Sequence, residues 1–125
     1  MTIQEILVID DDRQFREMLQ QTLTSAGYAV ETASDGREGM SLFETHPTAL
    51  VVTDIVMPGQ EGLETIMALR KRSKTVKIIA ISGGGKVVGA GSNLETAVLI
   101  GANRALRKPF SIKTIISTVE ELLAA

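Results

Sequence analysis

Asp54 stands in the run Val51-Val52-Thr53-Asp54-Ile55-Val56-Met57, where a carboxylate interrupts largely apolar sequence. Burial disfavours the charged form of such a group unless a cation or a proton compensates it. Three other polar features follow apolar runs in the same way. Asp10-Asp11-Asp12 follows Ile6-Leu7-Val8-Ile9, Ser82 follows Ile78-Ile79-Ala80-Ile81, and Lys108-Pro109 comes soon after the short stretch Arg104-Ala105-Leu106. Clustered carboxylates repel, and oxygen ligands of this kind suit Mg²⁺, which binds through one or two carboxylates plus waters and phosphate oxygens. A carboxylate can also act as a nucleophile on phosphorus. Phosphoryl transfer is then a matter of positioning and of neutralising three equatorial oxygens. Mg²⁺ can neutralise one, the Lys108 ammonium a second, and the Ser82 hydroxyl can hydrogen-bond the third. Backbone N–H groups in the loop after Asp54 can assist. These parts suffice for making and breaking an acyl phosphate.

For that chemistry the four segments must meet, and the pattern of elements brings them together. Ile6–Ile9, Leu50–Val52 and Ile78–Ile81 are short, continuous and largely β-branched, the signature of strands buried on both faces. Tyr28–Ala33 alternates more, as an edge strand does, and Arg104–Leu106 is a short fifth strand. Helical spacing lies between them. Phe15, Met18, Leu19, Leu23 and Ala26 follow Asp12, a favourable N-cap, and Met40 and Phe43 follow a capping-box pair, Asp35 and Glu38. Leu63, Ile66 and Met67 mark a third helix, and Ser92 with Glu95 opens a fourth that runs to about Ile100. Ile112, Ile115, Ile116, Val119, Leu122 and Leu123 form one apolar stripe after Ser111. Five β-α units in strict alternation, without linker or repeat, predict one domain over residues 1–125. Its fold class is α/β, a doubly wound five-stranded parallel sheet with helices on both faces. In such sheets ligands bind at the carboxyl ends of the strands, where Asp10, Asp11, Asp54, Ser82 and Lys108 fall.

Composition narrows the function further. The chain has 125 residues, 44% of them hydrophobic and 22% charged, with a net charge of −2. That balance lacks the basic footprint of a nucleic-acid-binding domain. The absence of cysteine excludes disulfides, zinc-thiolate sites and thiol catalysis. No apolar run approaches the ~20 residues that span a bilayer, and the start lacks a signal-peptide pattern, so a cytoplasmic location is expected.

Four pieces in this order, Ile6-Leu7-Val8-Ile9-Asp10-Asp11-Asp12, Thr53-Asp54-Ile55-Val56-Met57-Pro58-Gly59, Ala80-Ile81-Ser82-Gly83 and Lys108-Pro109-Phe110, resemble the receiver domain of two-component response regulators. The resemblance covers essentially the whole chain and implies a flavodoxin-like sheet with strand order 2-1-3-4-5. It implies that Asp54 is the phosphoacceptor and that Asp11, Asp54 and the Val56 carbonyl hold Mg²⁺ directly, with Asp10 acting through a bound water. It makes Ser82 the switch hydroxyl and Lys108 the partner of the phosphoryl group, with a cis Lys108–Pro109 bond. Asp12 reads as a helix cap. A chemotaxis-regulator-like receiver of this kind is not an enzyme, beyond catalysing its own phosphorylation and dephosphorylation. Its implied donor is a sensor histidine kinase or histidine phosphotransfer protein. Because the sequence stops after the last helix, a stand-alone receiver is expected, signalling to a protein target through the face built from residues 92–123. A monomer or weak homodimer fits, and no contact with nucleic acid or membrane is expected.

The sequence departs from the family pattern in places. Where receivers carry Tyr or Phe shortly before the lysine, this chain has Ala105. After Ser82 it runs through a glycine-rich stretch, residues 83–91, which together with the next helix would replace the missing ring as the moving part. Val56 and Gly84 occupy positions that govern acyl-phosphate hydrolysis, and neither side chain can activate a water, so slow self-dephosphorylation is expected. The glycines match neither nucleotide-binding motif. Arg70-Lys71-Arg72-Ser73-Lys74 reads as a solvated helix end whose cations complement the dipole. His46 reads as loop surface, and Met18, Met40 and Met67 as packing residues. Two rival readings remain at this point. Asp10-x-Asp12 partly imitates a haloacid-dehalogenase-like phosphatase, although the first acids after Lys108 are Glu120 and Glu121, within the last helix. A degenerate receiver acting only as a binding module is the other.

Overall fold

The computed structural model describes residues 5–55, 62–83, 96–98 and 100–124. Five strands, β1 (Glu5–Ile9), β2 (Ala29–Ala33), β3 (Leu50–Asp54), β4 (Lys77–Ser82) and β5 (Arg104–Arg107), form one parallel sheet in the order β2-β1-β3-β4-β5. The expected architecture and strand order are therefore found, with β2 on an edge. Helices α1 (Arg13–Ser25), α2 (Gly36–Thr45), α3 (Gly62–Arg72) and a last helix, Ile112–Ala124, connect and cover the strands.

Alternation along the central strands divides the interior in two. Leu7, Ile9, Val51, Ile78 and Ala80 face Phe43 of α2 and Ile66 and Leu69 of α3. Ile6, Val8, Leu50, Val52, Ile79 and Ile81 face Leu19 and Leu23 of α1 and Ile115, Val119 and Leu122 of the last helix. Each fully buried aliphatic side chain contributes roughly 1.5–3 kcal/mol, so both layers are needed to hold the sheet flat against its helices. This is why the strands read as unbroken apolar runs rather than alternating ones.

The helix starts follow their sequence signals with one variation. The Asp12 carboxylate accepts from the N–H groups of Gln14 and Phe15 at the start of α1. Asp35 accepts from the Glu38 N–H, but the Glu38 carboxylate reaches past the cap to the N–H and hydroxyl of Ser34. Of the predicted fourth helix, residues 96–98 are helical, and the Ile100 N–H donates to the Thr96 carbonyl. Its capping pair, Ser92 and Glu95, lies outside the described residues.

Several expected packing residues, Ala26 among them, are not in the core. Met18 is 38% exposed, Met67 53% and Ile112 57%. Met18 and Ile112 line an open groove between α1 and the last helix. Arg70 departs from expectation in the opposite sense. It is partly buried, and its guanidinium donates to the carbonyls of Gly101, Ser73 and Val76 and to the Asn103 side chain. His46 closes α2 and pairs with Glu5.

Candidate functional site at the carboxyl edge of the sheet

Each site residue is held where a strand ladder runs out. The Asp10 N–H donates to the Ala33 carbonyl at 3.1 Å, which carries the β1–β2 ladder one residue past β1. The Ile55 N–H donates to the Ile81 carbonyl at 2.9 Å and the Lys108 N–H to the Ser82 carbonyl at 2.8 Å, extending the next two ladders in the same way. Asp54 pairs with Ile81 in register, so Ser82 ends β4 one step further along. The backbone thus brings the ends of β1, β3, β4 and β5 to one edge before any side chain interacts. At the start of α3, Gly62 lies against this edge. A Cβ there would overlap the Asp54 carbonyl and the Ile55 backbone, atoms that cannot move aside as a side-chain tip could.

Asp10, Asp54 and Ser82 are buried, while Asp11 is exposed. Carboxylate oxygens of Asp10, Asp11 and Asp54 lie within 4.8 Å of one another. The Lys108 ammonium is 3.0 Å from Asp10 Oδ2 and 3.6 Å from Asp54 Oδ2. Among the described residues, the Lys108 ammonium thus pairs with two of the three grouped carboxylates. Burial holds the Asp10 carboxyl above its ordinary range, and the Asp12 N–H and the Lys108 ammonium offset this only in part. The Asp12 N–H donates to Asp10 Oδ1 at 2.8 Å, and Arg16 donates to the Asp10 carbonyl at 2.8 Å. The Ser82 hydroxyl donates to the Gly83 carbonyl across a long 3.4 Å.

A set of hard oxygen donors, grouped this closely and short of positive charge, fits a small divalent cation such as Mg²⁺. Asp12 lies outside that set because it caps α1. Val56 and Gly84 lie outside the described residues. Ala105, on β5, packs half-buried against the α2–α3 side of the core. The Lys108–Pro109 peptide is cis. Glu120 and Glu121 are exposed on the last helix, with Glu121 facing Arg104, so they supply no acidic pair of the phosphatase kind beside Lys108.

One contact was not legible in the sequence. The Lys108 ammonium sits 3.7 Å from the centroid of the Phe15 ring, which meets the Phe110 ring edge to face at 5.8 Å. Phe15 had the look of an ordinary helix packing residue. Its only local signal was an aromatic side chain one turn into the helix that the acidic triplet opens.

Known proteins resemble the chain over this same span. The family model described as response regulator receiver domain matches residues 6–120. Response regulator MprA of Mycolicibacterium vanbaalenii is 36% identical over 118 residues, covering 94% of this chain and 49% of that protein. A probable transcriptional regulator, ycf27, of Porphyra purpurea is 38% identical over 120 residues, 96% of this chain and 47% of its own length. The chain thus spans about half the length of these relatives. Among solved structures, a CheY-like response regulator receiver domain protein from Methanospirillum hungatei superposes with a TM-score of 0.90 at 27% identity, covering 98% of this chain and 95% of that one.

Proposed function

The chain belongs to the response regulator receiver domains of two-component signalling, and on that premise we propose that it is a Mg²⁺-dependent phosphoacceptor with Asp54 as its nucleophile. The observation that carries this reading is the convergence of the Asp10, Asp11 and Asp54 carboxylates with the Lys108 ammonium at one edge of the sheet.

In this reading an Asp54 carboxylate oxygen attacks the phosphorus of a phosphohistidine. The O–P bond forms as the N–P bond breaks, and the electron pair stays on the imidazole nitrogen, which takes up a proton. Asp10, Asp11 and Asp54 would hold Mg²⁺, together with the Val56 carbonyl that the family resemblance implies. Bound there, the ion would draw negative charge from a phosphoryl oxygen. Lys108 neutralises a second oxygen across a distance its flexible stem already spans, and the Ser82 hydroxyl turns from its weak carbonyl contact to hydrogen-bond a third. Burial of Asp54 keeps competing water from most of its surface, which favours attack on a delivered donor. Hydrolysis of the acyl phosphate restores the carboxylate and releases inorganic phosphate.

The donor in this reading is a sensor histidine kinase or a histidine phosphotransfer protein. The response passes to a protein target through the face that includes Val98 and Ile112, both exposed. No described helix is long and apolar enough to cross a membrane. Incubation with acetyl phosphate and Mg²⁺, followed by mass mapping, tests the chemistry. A single phosphoryl adduct on Asp54, lost in Asp54→Asn and in the presence of a chelator, is expected. An adduct on any other residue overturns the reading.

A further inference from the structure

We propose that Phe15 is a positioning residue for Lys108, its ring face holding the ammonium where a phosphoryl group on Asp54 requires it. The inference rests on the phosphoacceptor reading and adds to it a residue on α1 that touches neither phosphoryl group nor metal.

Three observations carry it. The Lys108 ammonium lies 3.7 Å from the Phe15 ring centroid, well inside the range at which the negative face of an aromatic ring attracts a cation. The side chain of Lys108 is only 17% exposed, so the attraction is less screened than at an open surface. The ring is itself held by packing. Phe110 meets it at an interplanar angle of 83°, and Phe15 is partly buried against the core that Leu19 and Ile115 share.

The consequence follows from the nature of a lysine. Its ammonium is a point charge on a flexible four-carbon stem, and it has no fork to lock it to one geometry. Asp10 gives it one close partner at 3.0 Å, while Asp54 lies at 3.6 Å. Without a further contact the stem could swing away and leave the carboxylates to repel. The ring covers a flank of the ammonium and offers no oxygen to compete for it. Lys108 is therefore ordered before the phosphoryl group arrives, and part of the ordering cost is removed from the transfer step. The ring also makes α1 sensitive to the site. If Lys108 shifts on phosphorylation, Phe15 moves with it and passes the shift to Phe110, in a chain that has Ala105 rather than an aromatic on β5.

The test measures the rate of Asp54 labelling by acetyl phosphate and the affinity for beryllofluoride, both with saturating Mg²⁺. The proteins are the wild type, Phe15→Leu, Phe15→Trp and a series with one to three fluorines placed on the Phe15 ring. Fluorination weakens the negative face of the ring while barely altering its shape. The expected outcome is a loss of roughly five-fold in both quantities for Phe15→Leu, a graded loss across the fluorinated series and retention in Phe15→Trp. Wild-type behaviour of Phe15→Leu overturns the proposal. So does a flat fluorinated series beside a slow Phe15→Leu, because that would make the ring a packing element only. If the wild-type protein itself is not labelled on Asp54, the phosphoacceptor reading fails instead, which keeps the two failures apart.

Discussion

Opposing forces meet on Asp10. Burial favours its neutral form, whereas the Asp12 N–H and the Lys108 ammonium favour the carboxylate, and burial prevails, so the folded carboxyl holds its proton to higher pH than the unfolded one. Linkage then fixes the direction. As pH falls from neutral, the folded state takes up this proton first, and the contribution of Asp10 to stability rises until the pH passes below the ordinary carboxyl value of 3.8. As pH rises through the elevated folded value, that contribution is lost. Metal-free protein at neutral pH should therefore gain stability from Asp10→Asn, which keeps an oxygen for the Asp12 N–H. We expect a higher melting temperature in a chelator, the gain shrinking toward zero as pH approaches 4. The same variant should lose Mg²⁺-dependent labelling. A lower melting temperature at neutral pH would mean that the Lys108 ion pair outweighs the desolvation of Asp10.

At the scale of elements, Arg70 joins three parts that the alternation of strands and helices leaves to loops. Its Nε and Nη2 donate to the Gly101 carbonyl at 3.3 and 2.7 Å, Nη2 also to Asn103 Oδ1 at 3.1 Å, and Nη1 to the carbonyls of Val76 and Ser73 at 2.8 and 3.2 Å. Asn103 is in turn paired to both backbone groups of Ile78. The end of α3, the approach to β4 and the turn before β5 thus share one guanidinium. Arg70→Ala would leave several carbonyls short of a donor, and we expect a cost of about 2–4 kcal/mol in urea denaturation. Arg70→Lys should recover less than half of it, since an ammonium lacks the planar fork. Full recovery by lysine would show that charge rather than geometry matters here. The contrast with what the sequence revealed is instructive. The five strands were legible because strands buried on both faces leave continuous β-branched runs, and the strand-end rule placed Asp10, Asp54, Ser82 and Lys108 on one edge. Arg70 was not legible because its partners are mainly backbone carbonyls, which leave no mark in the sequence. Nor was the pair Phe15 and Lys108, since 93 positions separate residues that meet only when the sheet brings the segment after β5 to the start of α1. Helical spacing likewise showed that Met18 and Ile112 belong to apolar stripes, but not that both are exposed in the groove between α1 and the last helix.

At the scale of the molecule, the site and the fold cannot be separated, because the carboxylates and the ammonium come from the ends of β1, β3 and β5, strands that share two continuous cores. Nothing short of wide unfolding disperses them, so any ion they bind stabilises the whole domain. Linkage gives the size of the effect: at a free Mg²⁺ concentration about 100 times the dissociation constant, stability rises by about 2.7 kcal/mol. For a domain of this size that corresponds to a melting temperature higher by on the order of 10 °C. Asp11 is the residue through which to test it. It is exposed, so Asp11→Asn should leave the metal-free melting temperature nearly unchanged, unlike the substitution at buried Asp10. It would nevertheless remove one of the three grouped carboxylates. Thermal scans with Mg²⁺, and with sodium chloride matched in ionic strength, should show a rise in the wild type that is specific to Mg²⁺ and mostly absent in Asp11→Asn. Equal rises in both proteins would place the ion elsewhere on a chain whose net charge of −2 gives it little general attraction for cations.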